Sequence, residues 1–144
     1  MEQEEESRMS WRDSTPQPVQ DDVDNLLDSA LTLAEGHLRE RGEFFPFGLV
    51  VDLEGGVRVV DVDAPDARQA KTMIFGALAQ MRGELRAAAV VTDVALPETA
   101  SSGIEVHLEH AHGIAIGVLE PYRLARGELE AEALEGHTAV RAVW

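Results

Sequence analysis

The chain has 144 residues, a net charge of −15 at pH 7 and no cysteine. The lack of cysteine excludes disulfides, thiolate zinc sites and a cysteine nucleophile. The charge argues against nucleic acid and anionic membranes, because both are bound through lysine and arginine. No apolar run is long enough to span a membrane, and the first residues are acidic where a targeting signal would be basic or neutral. We therefore expect a cytoplasmic protein whose acidity serves solubility or, alternatively, a basic protein partner.

The first 20 residues differ in composition from the rest. They are acidic and polar, with Pro16 and Pro18 near their end, and bury too little apolar surface to offset the entropy of ordering. We predict a disordered acidic tail over 1–20 and a single domain over 21–144. Trp11 in this tail is either incidental or docks on the domain or on a partner. Eleven of the twelve basic residues are arginine, which we take as a sign of a GC-rich bacterial genome.

Two amphipathic segments predict helices over 22–41 and 65–86. The first carries an apolar stripe of Val23, Leu26, Leu27, Ala30, Leu31, Ala34 and Leu38, and Gly42 ends it. The second has Asp63 as its predicted N-cap and Pro65 in its first turn. Its apolar stripe consists of Ala67, Ala70, Ile74, Ala77, Leu78, Met81 and Leu85.

A hairpin is predicted over 44–63, where two β-branched runs flank Gly55-Gly56. With these glycines as a two-residue loop, Val51 lies opposite Val60. One face of the first strand then carries Phe47, Leu49, Val51 and Leu53. Three of the four phenylalanines fall within 44–47. They form either a core plug at the strand start or an exposed aromatic patch for a partner.

Residues 87–96 predict a third strand that is apolar on both faces, which indicates a central position or a contact with another subunit. A second hairpin covers 104–120. A three-residue loop ending at Gly113 would pair Leu108 with Ile116 and Val106 with Val118. Alternation of acidic and apolar residues over 128–133 favours a strand over a helix. Trp144 could then clasp the domain.

Three histidines on and beyond one strand are the best candidates for chemistry. They are His107, His110 and His112, with Glu105 and Glu109 between and beside them. Histidines two apart on a strand can grip one metal ion, but the preferred register puts His112 in the turn and His107 opposite His110. The alternative is that His107, Glu105 and Glu109 form a solvated strand face. We therefore assign no catalytic, cofactor-binding or metal residue, and keep these histidines as a secondary metal hypothesis.

Four aspartates are a second, weaker candidate: Asp52, Asp61, Asp63 and Asp93. A cluster of them at one end of the sheet could serve a divalent cation or acid–base chemistry. Strand-end acids more often cap helices and guard sheet edges. Nucleophile elbows and phosphate-binding loops are missing from the sequence.

The element order over 22–120, helix, hairpin, helix and three strands, resembles the roadblock/LC7 and profilin-like domains. That resemblance implies a five-stranded antiparallel sheet with helices packed on it, and dimeric adaptors or regulators. The strand read over 128–133 departs from that family, which has a helix there. Phe-Phe-Pro-Phe-Gly after a helix, together with Glu-Pro-Tyr and a C-terminal Trp, is similar to a family of small bacterial proteins that carries no activity to transfer.

We predict an α+β fold of two layers, with an antiparallel sheet of five or six strands and two helices on one face. The expected element order is α-β-β-α-β-β-β, with a further strand at the end. The leading functional hypothesis is a non-enzymatic interaction protein without a cofactor, a homodimeric adaptor, regulator or immunity-type protein with a basic partner. The alternative is a metal-dependent or small-ligand-binding enzyme using the cluster at 105–112. A third hypothesis is a ligand-sensing domain with a pocket between the helices and the sheet.

Overall fold

The computed structural model describes residues 11–144, so residues 1–10 of the predicted tail lie outside the described part of the chain. Within this part, two long helices are present, α1 (Gln17–Arg41) and α2 (Ala67–Met81). The strands are β1 (Phe47–Asp52), β2 (Val57–Val60), β3 (Leu85–Leu96), β4 (Ser101–His110), β5 (Ala115–Ala125), β6 (Glu128–Ala131) and β7 (Glu135–Thr138). None of the helices among residues 11–144 has the length and apolar character needed to cross a membrane.

The strands form one antiparallel sheet in the order β2-β1-β3-β4-β5. Both β6 and β7 lie along the outer edge of β5, β6 beside its C-terminal half and β7 beside its N-terminal half. Since β1 is antiparallel to both β2 and β3, these two strands run parallel to each other and are joined through α2. The α+β prediction with an antiparallel sheet is confirmed, with seven strands in place of five or six.

Helix α1 covers one face of the sheet. Its buried stripe consists of Val19, Val23, Leu26, Ala30, Ala34 and Leu38. Alternate residues of the strands meet this stripe, among them Leu49 on β1, Ala89 on β3 and Val106 on β4. The two alanines of the stripe have no exposed surface, so the helix lies close to the strands. This is the larger of the two apolar cores.

Helix α2 covers the opposite face. Its buried residues are Ala70, Ile74 and Leu78. Ile74 and Leu78 pack with Val50 of β1 and Val90 of β3. Leu49 and Val50 are consecutive in one strand, so their side chains point to opposite faces of the sheet. The prediction of two layers with both helices on one face is therefore not confirmed. Both faces of β3 are instead buried within one chain, which confirms its central position.

The start of α1 lies earlier than predicted. The helix begins at Gln17, so residues 17–20 belong to a helix although the sequence had assigned them to the tail. Pro18 in the first turn is compatible with this, because the N–H that it lacks would have no partner there. Trp11 is half-buried and packs against the α1 core, so it docks on the domain.

The first hairpin has a different register from the predicted one. Val51 pairs with Val57 and not with Val60. The loop has three residues, 53–55, between Asp52 and Gly56. The side chain of Asp52 accepts the backbone N–H of Glu54 at 2.9 Å and that of Gly56 at 2.8 Å. Gly55 supplies the positive φ of 91° that this loop requires. The predicted register was wrong because the side chain of Asp52, and not the glycine pair alone, sets the turn.

The phenylalanines of residues 44–47 fit both predicted alternatives in part, since two are in the core and one is at the surface. Phe44 and Phe47 are buried in the α1 core, with their rings edge to face at 5.7 Å. Phe45 between them is half-exposed. Leu53 lies in the hairpin loop and is exposed, so the predicted apolar face of β1 ends at Val51.

The second hairpin follows the predicted register. Leu108 pairs with Ile116 and Val106 with Val118. The backbone N–H of Gly113 donates to the carbonyl of residue 110 at 2.9 Å, and Gly113 has a φ of 120°. The three-residue loop is therefore confirmed.

Helix α2 is shorter than predicted at both ends. Asp66 and not Asp63 is its N-cap, since the Asp66 carboxylate accepts the N–H of Gln69 at 2.8 Å. The α-helix ends at Met81 and continues as a 3₁₀ turn through Gly83, a residue that weakens helices. Strand β3 thus starts two residues before the predicted position.

A β-bulge lies near the start of β3. Val51 pairs with Ala87 but Asp52 pairs with Leu85, which leaves Arg86 as the extra residue. The bulge reverses the alternation of side chains. Leu85 consequently packs in the α2 core, whereas Arg86 reaches α1.

The last part of the chain returns to the sheet and then to the α2 face. The acidic and apolar alternation forms strand β6, as predicted. Beyond β7, Val143 is buried and Trp144 is half-buried, both in the α2 core. The C-terminal tryptophan therefore lies on the domain, although it is Val143 that is fully enclosed.

Candidate functional site

His110 ends β4 under α1. Its Nε2 lies 2.9 Å from the carboxylate of Asp22, and its Nδ1 accepts the backbone N–H of His112. Because Nδ1 is an acceptor, Nε2 carries the proton and donates it to Asp22. Arg86 donates two hydrogen bonds to the same carboxylate, at 2.6 and 3.2 Å. Burial raises the pKa of Asp22, but the hydrogen bonds from Arg86 and His110 outweigh it, and the pKa lies below its ordinary value.

His107 faces the other side of the sheet, under α2. Its Nε2 lies 2.5 Å from the carboxylate of Glu109, and its ring meets Phe75 edge to face. Glu109 also accepts the backbone N–H groups of residues 142–144. Burial raises the pKa of Glu109, but His107 and the three N–H groups together hold it below the ordinary value. The expected solvated face is wrong for Glu109, which is 1% exposed.

The predicted histidine cluster is thus divided by the sheet. His107 faces α2, His110 faces α1, and His112 lies in the turn between β4 and β5. Among residues 11–144, no group of three or more potential ligands is arranged to hold a metal ion. The rings of His107 and His110 instead hold distant parts of the chain together.

The four aspartates of the second hypothesis do not form a cluster either. Asp52 caps the loop between β1 and β2, whereas Asp93 near the other end of β3 accepts the hydroxyl of Tyr122 at 2.6 Å. Asp61 and Asp63 are both exposed, in the segment after β2. The four carboxylates therefore do not share a site.

One carboxyl pair was not predicted. Glu120 on β5 is buried beneath α1, and its Oε1 has no hydrogen-bond partner among the described residues. Burial, and next the neighbouring Glu35, raise the pKa of Glu120 to about 7, against the opposing effect of Arg39. Two carboxylates only accept hydrogen bonds, so a proton on Glu120 is needed to join the pair.

A cavity of about 440 Å³ opens between the N-terminal half of α1 and the edge formed by β5 and β7. It falls within the range of roughly 300–1,000 Å³ that is usual for small-molecule sites. The residues that matter most in its lining are Trp11, Leu27, Ile116, Val118, Gly136 and Thr138. We refer to it below as the α1–β5 cavity.

The β2 edge, defined as the outer side of Val57–Val60, is a second exposed feature. Among the described strands, only β1 pairs with β2. The side chains of Val57 and Val59 are 47% and 50% exposed. Asp52 N–H donates to the Gly56 carbonyl, so by the alternation of an antiparallel ladder the backbone groups of Val57 and Val59 point away from β1.

The two edges of the sheet differ in their protection. Acidic side chains that are exposed line β6 at one edge, namely Glu128 and Glu130. At the β2 edge the only charged residue is Arg58, which lies 3.9 Å from Asp52. Charged side chains normally guard free edges against pairing, so the β2 edge is the less protected of the two.

Comparisons with protein-family models, curated proteins and solved structures gave no match for the chain. The resemblance to roadblock-like domains therefore stays a prediction.

Sequence reasoning missed Glu120 and the burial of Glu109. It offered a pocket between the helices and the sheet as a third hypothesis, but it predicted neither the position nor the lining residues of the cavity. The signal was available for Glu120, an acid on the strand face that otherwise carries Ile116, Val118 and Tyr122. Glu109 gave no such signal, because it follows Glu105 and His107 in the regular alternation that is typical of a solvated strand face. The cavity left only one trace, a glycine in β7 opposite the apolar face of β5.

Proposed function

We propose that this chain is a non-enzymatic protein-interaction module that binds an extended segment of a basic partner along the β2 edge. The observation that carries the proposal is the exposure of Val57 and Val59 on a strand whose outer backbone groups have no strand partner among residues 11–144. An added strand would pair with these backbone groups and cover the valine side chains.

Charge supports a basic partner. The chain has a net charge of −15, and Glu54, Asp61 and Asp63 lie beside the β2 edge in the flanking loops. Arg58 is offset by Asp52. A strand with basic flanking residues would be attracted to this edge, whereas a second acidic copy would be repelled.

The homodimer hypothesis rested on the two-sided apolarity of the third strand. Since α1 and α2 cover both faces of β3 within one chain, this apolarity no longer requires a second subunit. The experiment below distinguishes a homodimer from a complex with a basic partner.

The test is affinity capture from a lysate of the source cell, with the wild type, Val59→Lys and a control, Val140→Lys. Val140 is 86% exposed and lies outside the sheet, so its substitution adds the same charge without touching the edge. We expect a basic protein that elutes at high salt, that Val140→Lys retains and that Val59→Lys loses.

A backbone variant sharpens the test. Val59→Pro removes one outward N–H and leaves the β1 ladder in place, so it should also release the partner. If Val59→Lys captures the same protein as the wild type, the β2 edge is not the site. A dimer mass in light scattering that Val59→Lys reduces to a monomer would replace the basic partner by a second copy.

A further inference from the structure

We infer that the α1–β5 cavity is a binding site for a small, uncharged and largely apolar molecule. The cavity lies on the α1 side of β5 and β7, at the other end of the sheet order from the β2 edge. The inference is therefore independent of the proposed partner binding.

One strand residue in the lining, Gly136, lacks a side chain. Gly136 pairs with Val118, so the two residues lie on the α1 side of the sheet, where Val118 is buried and Gly136 is exposed. A Cβ on Gly136 would meet no atom closer than the carbonyl oxygen of Gly117, at 4.0 Å. The backbone thus leaves room for a larger residue here, and its side chain would occupy part of the cavity.

The walls of the cavity are largely apolar, and contacts within the protein bury them only in part. Trp11, Leu27 and Ile116 pack against the α1 core but remain half-buried. A ligand that covers these three side chains would gain the hydrophobic free energy of the surface it removes from water. The driving force for binding is therefore burial of apolar surface.

The charged residues of the lining neutralise each other. Arg12 donates to both carboxylate oxygens of Asp24, at 2.8 and 3.0 Å, and its guanidinium stacks on Trp11 at 4.5 Å. No unpaired charge among the described lining residues is available for an ionic ligand. The strongly negative chain also repels anions, so the geometry favours an uncharged molecule.

One polar group is free to orient the ligand. Thr138 pairs with Ile116, so its hydroxyl lies on the cavity face, and it makes no hydrogen bond to another described side chain or backbone group. A few convergent polar groups in an apolar lining are typical of small-molecule sites. The expected ligand therefore has an apolar body with one hydrogen-bonding group.

The probes that test the inference are N-phenyl-1-naphthylamine and its sulfonated analogue 8-anilino-1-naphthalenesulfonate. They share a ring system and an amine, and differ in the negative charge. Titration of the full chain is followed by probe fluorescence and by energy transfer from Trp11 in a Trp144→Phe background. We expect saturable binding of the neutral probe, with the anionic probe weaker by on the order of tenfold or more.

Two variants place the binding in the cavity. Gly136→Leu fills the volume, and Leu27→Glu puts a carboxylate in its wall, so both should weaken the neutral probe by on the order of tenfold. Gly76→Leu is the matched control, because Gly76 lies on α2, on the opposite side of the sheet, with nothing within 4 Å of an added Cβ. It should bind like the wild type.

Several outcomes would overturn the inference. One is the lack of saturable binding of the neutral probe to the wild type, and another is equal binding by Gly136→Leu and Gly76→Leu. Tighter binding of the anionic probe would refute the uncharged class. If Gly136→Leu changed the mass of the particle in light scattering and not probe binding, the groove would be a protein interface.

Discussion

The carboxylate of Glu109 accepts the backbone N–H of Val143 with both of its oxygens, at 3.1 and 3.0 Å. The neighbouring N–H groups of Ala142 and Trp144 donate to the same carboxylate. The side chain of Val143 is buried in the α2 core. A buried negative charge, which is costly when unpaired, thus anchors the last residues of the chain over the sheet.

Glu109→Ala should destabilise the fold by at least about 3 kcal/mol, because it leaves three N–H groups and His107 without their acceptor. Glu105→Ala is the matched control on the same strand and face. Glu105 forms a surface pair with Lys71 at 3.5 Å, which is worth at most about 1 kcal/mol. Urea unfolding measures both, and amide exchange at residues 142–144 should accelerate in Glu109→Ala alone. Equal losses in the two variants would contradict the anchoring role.

Because of Glu120, we expect the free energy of unfolding to fall as the pH rises through neutrality. Its pKa is raised to about 7 in the folded state by burial and by Glu35. The stabilisation is complete below the unfolded pKa of about 4.5 and is lost as the pH rises through about 7. Glu120→Gln stays uncharged, so it should be more stable than the wild type near pH 8, with a difference that shrinks toward about pH 4.

Glu130→Gln provides the control for this pH dependence, since Glu130 is an exposed acid on β6. Denaturant unfolding across the pH range gives the free energy for all three proteins. Asp22 and Glu109, whose pKa values are lowered, act with the opposite sign. Their stabilisation is lost as the pH falls, and it is shared by Glu120→Gln. A difference between Glu120→Gln and the wild type that does not change with pH would exclude a shared proton.

Substitution by alanine should have opposite effects on stability at two glycines, Gly55 in the loop of the first hairpin and Gly36 in α1. Gly55→Ala should cost about 1 kcal/mol, because Gly55 has a φ of 91° that L residues rarely adopt. Gly36→Ala lies inside α1 with nothing within 4 Å of the added Cβ, and should gain about 1 kcal/mol. Thermal unfolding checks both. Stabilisation by Gly55→Ala would show that the loop does not hold this conformation.

The second hairpin illustrates what a sequence determines well. The apolar partners Leu108 and Ile116 come into register only with a three-residue loop, and the structure has that loop. In the first hairpin the valine run pairs acceptably in more than one register. The choice then depended on the Asp52 side chain, an interaction that alternation of apolar residues does not encode.

The layer order was beyond sequence reasoning for a related reason. The apolar stripes of α1 and α2 predict that each helix has a buried face, but they do not predict on which side of the sheet each helix lies. Continuous apolarity of β3 was the available clue, and both helices together account for it. The sequence did not predict the bulge at Arg86, where the side chain forms a long-range ion pair with Asp22. The carboxyl pair of Glu120 and the cavity depend on the same tertiary packing.

Zinc offers the sharpest test of the histidine hypothesis. His107 and His110 lie on opposite faces of the sheet, and the Nε2 of each is bonded to a carboxylate. Binding of a metal ion would have to break these contacts, so we expect no saturable rise in Tm with zinc at modest excess. A bound ion at one hundred times its Kd would stabilise the fold by about 2.7 kcal/mol, which thermal unfolding detects easily.

His112→Ala is the informative comparison in that titration. The His112 side chain lies in the turn, and only its backbone N–H contacts His110. Weak zinc binding through the exposed turn would hardly change the Tm of the wild type, and it would be lost in His112→Ala. A saturable rise of several degrees that His110→Ala abolishes would contradict the observed division of the histidines. It would mean that the Asp22–His110 contact opens to accept a metal ion, and the enzyme hypothesis for residues 105–112 would return.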